Sequence, residues 1–97
     1  MALFVSLVNF TDQGIRVVRN TVKRAESFRE TAESMGITVK EIFWTLGVYD
    51  LVIVVEAPDD ETVATLFFAV GSLGNIRAHT LRAFSEDDMT RVLKNIG

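Results

Sequence analysis

Few side chains in this chain are equipped for chemistry, and they do not fall into a catalytic spacing. His79 is the single histidine, and there is no cysteine. With no thiolate and no paired-carboxylate motif beside it, that histidine reads as an edge-strand residue rather than a metal ligand or a catalytic base. A Ser/His/Asp arrangement has no nucleophile elbow to build on. Gly71 and Gly74 match neither a dinucleotide fingerprint nor a phosphate loop, because no Gly-Lys-Ser/Thr follows and they come after a helix; they read as helix-stop residues. Trp44, Tyr49 and Asp50 have two readings. Either they line a small-molecule pocket at a sheet edge, or Gly47 permits a turn whose backbone Asp50 hydrogen-bonds while the rings pack, and the second is preferred. Arg16, Arg19, Lys23 and Arg24 form a basic patch that Glu26, Glu30 and Glu33 balance, which is the pattern of a solvated helix face with anion binding as the alternative.

Composition narrows the classes further. The 97 residues, 48% apolar and 24% charged, make one globular domain spanning 1–97. A net charge of -3 leaves no electrostatic footprint for nucleic acid or an anionic membrane. The apolar runs fall well short of the roughly 18 residues of a spanning helix, and the start lacks the basic region of a signal peptide, so a cytoplasmic location is expected. No metal or cofactor is expected.

The elements that must position these residues follow from periodicity. Ala2 to Asn9 or Phe10 reads as a strand, and Thr11-Asp12 starts a helical segment running to about Met35. Its apolar positions Ile15, Val18, Val22, Ala25, Phe28, Ala32 and Met35 step by three and four, forming one stripe. Asn20-Thr21 predicts a break, with Thr21 able to cap the new start, and Gly36 a left-handed stop. Thr38 to Leu46 and Asp50 to Ala57 are the second and third strands. Pro58 ends the third, and Asp59, Asp60 and Glu61 favour a helix N-terminus. Val63, Leu66, Phe67 and Val70 stripe that helix. Ile76 to Phe84 is the fourth strand, and Ser85 starts a last helix with Met89, Val92, Leu93 and Ile96 on one side.

The pattern predicts a β-α-β-β-α-β order plus a terminal helix, with an antiparallel sheet of order 4-1-3-2. The first and third strands are apolar on both faces: Leu3, Val5 and Leu7 oppose Phe4, Val8 and Phe10, and Leu51 to Val55 is apolar at consecutive positions. Two helices cover one face only. Exposing an aliphatic or aromatic side chain forgoes roughly 1.5–3 kcal/mol, so four or five of them approach the total stability of a small domain, about 5–15 kcal/mol. A second copy of the chain is the expected cover, and the terminal helix is expected to dock its stripe on protein rather than stand free.

The run Phe43-Trp44-Thr45-Leu46-Gly47-Val48-Tyr49-Asp50, followed by an apolar strand and Glu56-Ala57-Pro58-Asp59-Asp60, resembles the GYD domain family. Leu7 to Gly14 and the stretches Gly71 to Arg77 and Thr80 to Phe84 are similar to the same family, so nearly the whole chain is covered. The family's Gly, Tyr and Asp fall on Gly47, Tyr49 and Asp50. Its frequent proline after a serine near the middle of the first helical segment is replaced here by Thr21-Val22. The resemblance implies a ferredoxin-like fold of the dimeric α+β barrel type and says little about activity. Two functions stand beside each other. One is a homo-oligomeric binding or regulatory module taking a small, partly apolar ligand. The other is a cofactor-independent oxygenase or isomerase, of the kind hosted by other dimeric α+β barrels, for which Asn9, Trp44, Tyr49, His79 and Arg82 are the candidate residues. Convergence of three or more of these tips on one closed pocket favours the enzyme; scatter favours binding.

Overall fold

A computed structural model describes Met1–Gly97. Alternation of large apolar residues makes β1 (Ala2–Phe10), and Thr11 then caps α1 (Asp12–Arg16) by accepting from the Gly14 N–H at 3.0 Å. A 3₁₀ turn, Val18–Asn20, separates α1 from α2 (Thr21–Ser34). β2 (Thr38–Trp44), β3 (Leu51–Ala57), α3 (Asp60–Gly71), β4 (Ile76–Ala83) and α4 (Glu86–Lys94) complete the chain. The sheet is antiparallel throughout in the order β2-β3-β1-β4, the expected order read from its other edge. This is the ferredoxin-like arrangement with an added C-terminal helix.

Register decides which residues share a face. Phe4, Ser6 and Val8 point to the helices with Leu51, Ile53 and Val55, and are buried there with Phe28, Ala32, Val63, Leu66 and Phe67. Ser6 is the one buried polar side chain, and its hydroxyl pairs with that of Thr80 at 2.6 Å, so it is not orphaned. On the opposite face Leu3, Val5 and Leu7 pair with Glu56, Val54 and Val52, and with Ala83, Leu81 and His79. No element of the chain covers that side.

The expected break is present, reaching back to Val17, with α2 starting afresh at Thr21. Three expectations need correction. Thr21 supplies no side-chain cap, and its hydroxyl instead accepts the Trp44 indole N–H at 2.9 Å. With the break, the stripe does not stay in the core along its whole length: Phe28 and Ala32 are buried, whereas Ile15 and Val22 are 50% and 58% exposed. Within one chain, α4 docks on nothing. Its stripe of Met89, Val92, Leu93 and Ile96 is exposed, although its start is well built, with Ser85 and Asp88 capping each other's backbone N–H groups. The Cα radius of gyration is 14.6 Å and the longest axis 52 Å, against about 12.5 Å for the radius of a compact chain of this length.

At the head of α3, Asp59 accepts the Thr62 backbone N–H at 2.8 Å and the Thr62 hydroxyl at 2.7 Å. These bonds hold its carboxyl below the ordinary aspartate range. A depressed folded-state pKa means the cap contributes fully above the unfolded value and is lost as pH falls through the folded one. The Thr62 amide resonance is therefore expected to titrate with a midpoint below that of an unpaired aspartate; an ordinary midpoint contradicts the cap.

Candidate functional site

The β2–β3 hairpin tip is tied to the end of β1. Gly47 turns the chain at φ 110°, and Thr45 closes the loop by donating its N–H to the Asp50 carbonyl at 2.8 Å and its hydroxyl to the Tyr49 carbonyl at 2.6 Å. Asp50 accepts the Phe10 N–H at 2.8 Å and donates its own N–H to the Val8 carbonyl at 2.8 Å. The Asn9 amide donates to the Val48 carbonyl at 2.7 Å. Asn9 and Asp50 thus spend these polar atoms on backbone. The Tyr49 ring stands edge-on to His79, centroids 6.2 Å apart.

Of the six singled-out residues, Asn9, Tyr49, Asp50 and His79 come together at this end of the sheet. Trp44 shares its face with Leu51, on the helix side, where it holds Thr21. Arg82 lies near the far end of β4, opposite Phe4. Its guanidinium sits 5.6 Å from the Phe4 ring centroid and 4.6 Å from that of Phe84, and donates to the Leu3 carbonyl at 3.2 Å.

This geometry separates two roles for the turn. A Cβ at Gly47 meets nothing within 4 Å, so only the positive φ penalises a side chain there, by about 1–3 kcal/mol. Gly47→Val is expected to lower the melting temperature clearly and Tyr49→Phe only slightly. A silent Gly47→Val beside a large loss from Tyr49→Phe contradicts the structural role.

A cavity of about 260 Å³ lies between the sheet and the α1–α2 arm. Val8, Phe10, Ile42, Leu51 and Ile53 form its sheet wall; Val17, Val18, Ala25 and Phe28 close it from the arm, and Thr21, Arg24, Ser27 and Thr31 supply polar groups along α2. None of the six singled-out residues lines it. Periodicity alone passes over this space, since it assigns Val18 and Val22 to a continuous packed stripe. The usable signal is the break itself, because a segment that turns in mid-stripe cannot press both halves onto one flat sheet.

The second surface is the uncovered sheet face. Leu3, Val5, Leu7, Val52 and Val54 form its middle, flanked by Phe43 on one edge strand and Leu81 on the other, each 52% exposed. Beside it His79 and Tyr49 add an aromatic rim. No helix of the chain is long and apolar enough to cross a membrane.

A family model described as the GYD domain matches residues 4–93. Among curated proteins, one from Thermus thermophilus, named "Glutamine synthetase and cystathionine beta-lyase binding protein", is 35% identical over 95 residues, covering 97% of this chain and 100% of that protein. No solved structure matches the chain.

Proposed function

This chain belongs to the GYD domain family, and from that premise we propose that it is a self-associating binding module that docks onto other proteins and takes a small, partly apolar ligand in the cavity under α1 and α2. The observation that carries the reading is the uncovered apolar sheet face. Seven large apolar side chains on one flat surface form a patch that a soluble monomer rarely leaves open, and a two-fold pairing of this face with itself covers it in the dimeric α+β barrel manner. The exposed stripe of α4 is a further surface available to a second copy or to another protein.

Binding is preferred to catalysis because the candidate tips do not surround the cavity: Asn9, Tyr49 and His79 meet at the hairpin end of the sheet, but none of them lines the space under α1 and α2. Asn9 and Asp50 are committed to backbone, Trp44 to Thr21, and Arg82 to the opposite end of the sheet. The Thermus relative is named for binding glutamine synthetase and cystathionine beta-lyase, and we extend the same class of partner, enzymes of amino-acid metabolism, to this chain. A cytoplasmic location goes with such partners. Mixing the purified chain with these two enzymes from its own organism tests the docking: co-migration with at least one of them is expected, and separate migration of both at micromolar concentration rejects it.

A further inference from the structure

We propose that the cavity beneath α1 and α2 is a site for a small carboxylate with an apolar body, an acid carrying a single ring or a short branched chain. The inference rests on the reading of that cavity as a ligand site and adds the chemical class. Size comes first. A dry apolar cavity of about 150 Å³ accommodates benzene, so about 260 Å³ has room for one ring and a short substituent. The sheet wall of Val8, Phe10, Ile42, Leu51 and Ile53 offers no polar side chain to a ligand, which requires an apolar body on that side.

The polar residues of the lining are Thr21, Arg24, Ser27 and Thr31 along α2 and Asn75 just before β4, and the charge among them has one sign. The lining contains no aspartate or glutamate, and its one charged residue is Arg24, an exposed residue at the rim. Arg24 is three residues after Thr21 on α2, so the two side chains are neighbours on the helix surface. The Thr21 oxygen already accepts from the Trp44 indole at 2.9 Å, which leaves its hydroxyl proton to donate. The ion pairs of the chain are Lys40–Glu56 and Asp88–Arg91; Arg24 belongs to neither, and nor do Arg16, Arg19 and Lys23 on the same arm. An unpaired cation beside a free hydroxyl donor at the rim of an apolar cavity selects an anionic head on an apolar body. The trio Glu26, Glu30 and Glu33 balances the charge of the arm but stays outside the lining.

Phenylacetate and its neutral isostere phenylacetamide separate the class of ligand from the existence of the site. With the full chain labelled at its methyl groups, phenylacetate is expected to shift the resonances of Val8, Ile42, Leu51 and Ile53 and to bind about fivefold more tightly than the amide, the preference an exposed charge pair supports. Arg24→Gln is expected to bring the acid down to the affinity of the amide. Equal affinities in the unaltered chain, or a preference that survives Arg24→Gln, overturn the carboxylate assignment while leaving the cavity as an apolar ligand site. Failure of both compounds to shift the cavity methyls overturns the assignment and the ligand site together. Self-association measured on the same samples reports separately on the binding-module reading.

Discussion

Ile53→Asp is expected to abolish the fold, whereas Val5→Asp is expected to leave a folded chain and to remove the self-association proposed above. The two residues sit on neighbouring central strands, Val5 paired with Val54 beside Ile53, and differ only in the face they present. Ile53 is 4% exposed in the core with Val8, Leu51 and Val55. A carboxylate there has no partner, and its desolvation costs several kcal/mol on top of the lost apolar packing, together comparable with the about 5–15 kcal/mol that holds a small domain together. Val5 points away from the helices, where a carboxylate remains hydrated in a single chain and is buried only when two sheet faces meet. Circular dichroism should therefore give a cooperative melt for Val5→Asp and none for Ile53→Asp at 25 °C. A folded Ile53→Asp protein, or an unfolded Val5→Asp one, contradicts the assignment of faces.

Gly14→Ala is expected to be nearly as damaging as a core deletion although it adds one methyl group. A Cβ at Gly14 lies 1.9 Å from the Asn75 carbonyl oxygen, which is itself the acceptor for the Thr11 N–H at 3.1 Å. Around this contact the Thr11 hydroxyl donates to the Gly74 carbonyl at 2.5 Å, and the Gln13 amide donates to the Leu73 carbonyl at 3.0 Å and the Asn75 side-chain oxygen at 2.9 Å. The obstacle is backbone, so no rotamer change relieves it. α1 must lift off the turn between α3 and β4, breaking this set of bonds. Overpacking of this kind costs about 3 kcal/mol, and in a chain of this size the melting temperature falls by on the order of 10–20 °C. Because Gly14 and Asn75 both line the cavity, the same substitution should weaken binding of a ligand there. A melting temperature within a degree or two of the parent contradicts the close approach.

Much of the scaffold could be read from residue types alone. Consecutive apolar residues in two strands marked them as central, with charged Lys40, Glu41 and Arg77 on the edges, and that is where the sheet puts them. Thr11, Asp59 and Ser85 cap their helices as their side chains suggest, and Gly36, Gly47 and Gly74 take positive φ. Each of these is a local preference. The site was less legible because it depends on register and parity across the sheet. Asn9 and Arg82 were grouped as candidates, yet Leu7 pairing with His79 puts odd-numbered β4 residues on the open face and Arg82 on the helix side. A register shift in β2 between Val39 and Glu41 intervenes in the same way. The indole of Trp44 holding Thr21, and the carbonyl of Asn75 pressed on Gly14, join residues far apart in the chain. No local pattern announces either contact.

The central claim is that the apolar sheet face exists to be covered by another copy of this chain, and sedimentation velocity of the unaltered protein across the micromolar range tests it most directly. The expected result is a species of at least twice the mass of one chain that persists on dilution, together with a folded species of single-chain mass for Val5→Asp. A folded, freely soluble monomer of the unaltered protein throughout that range would contradict it.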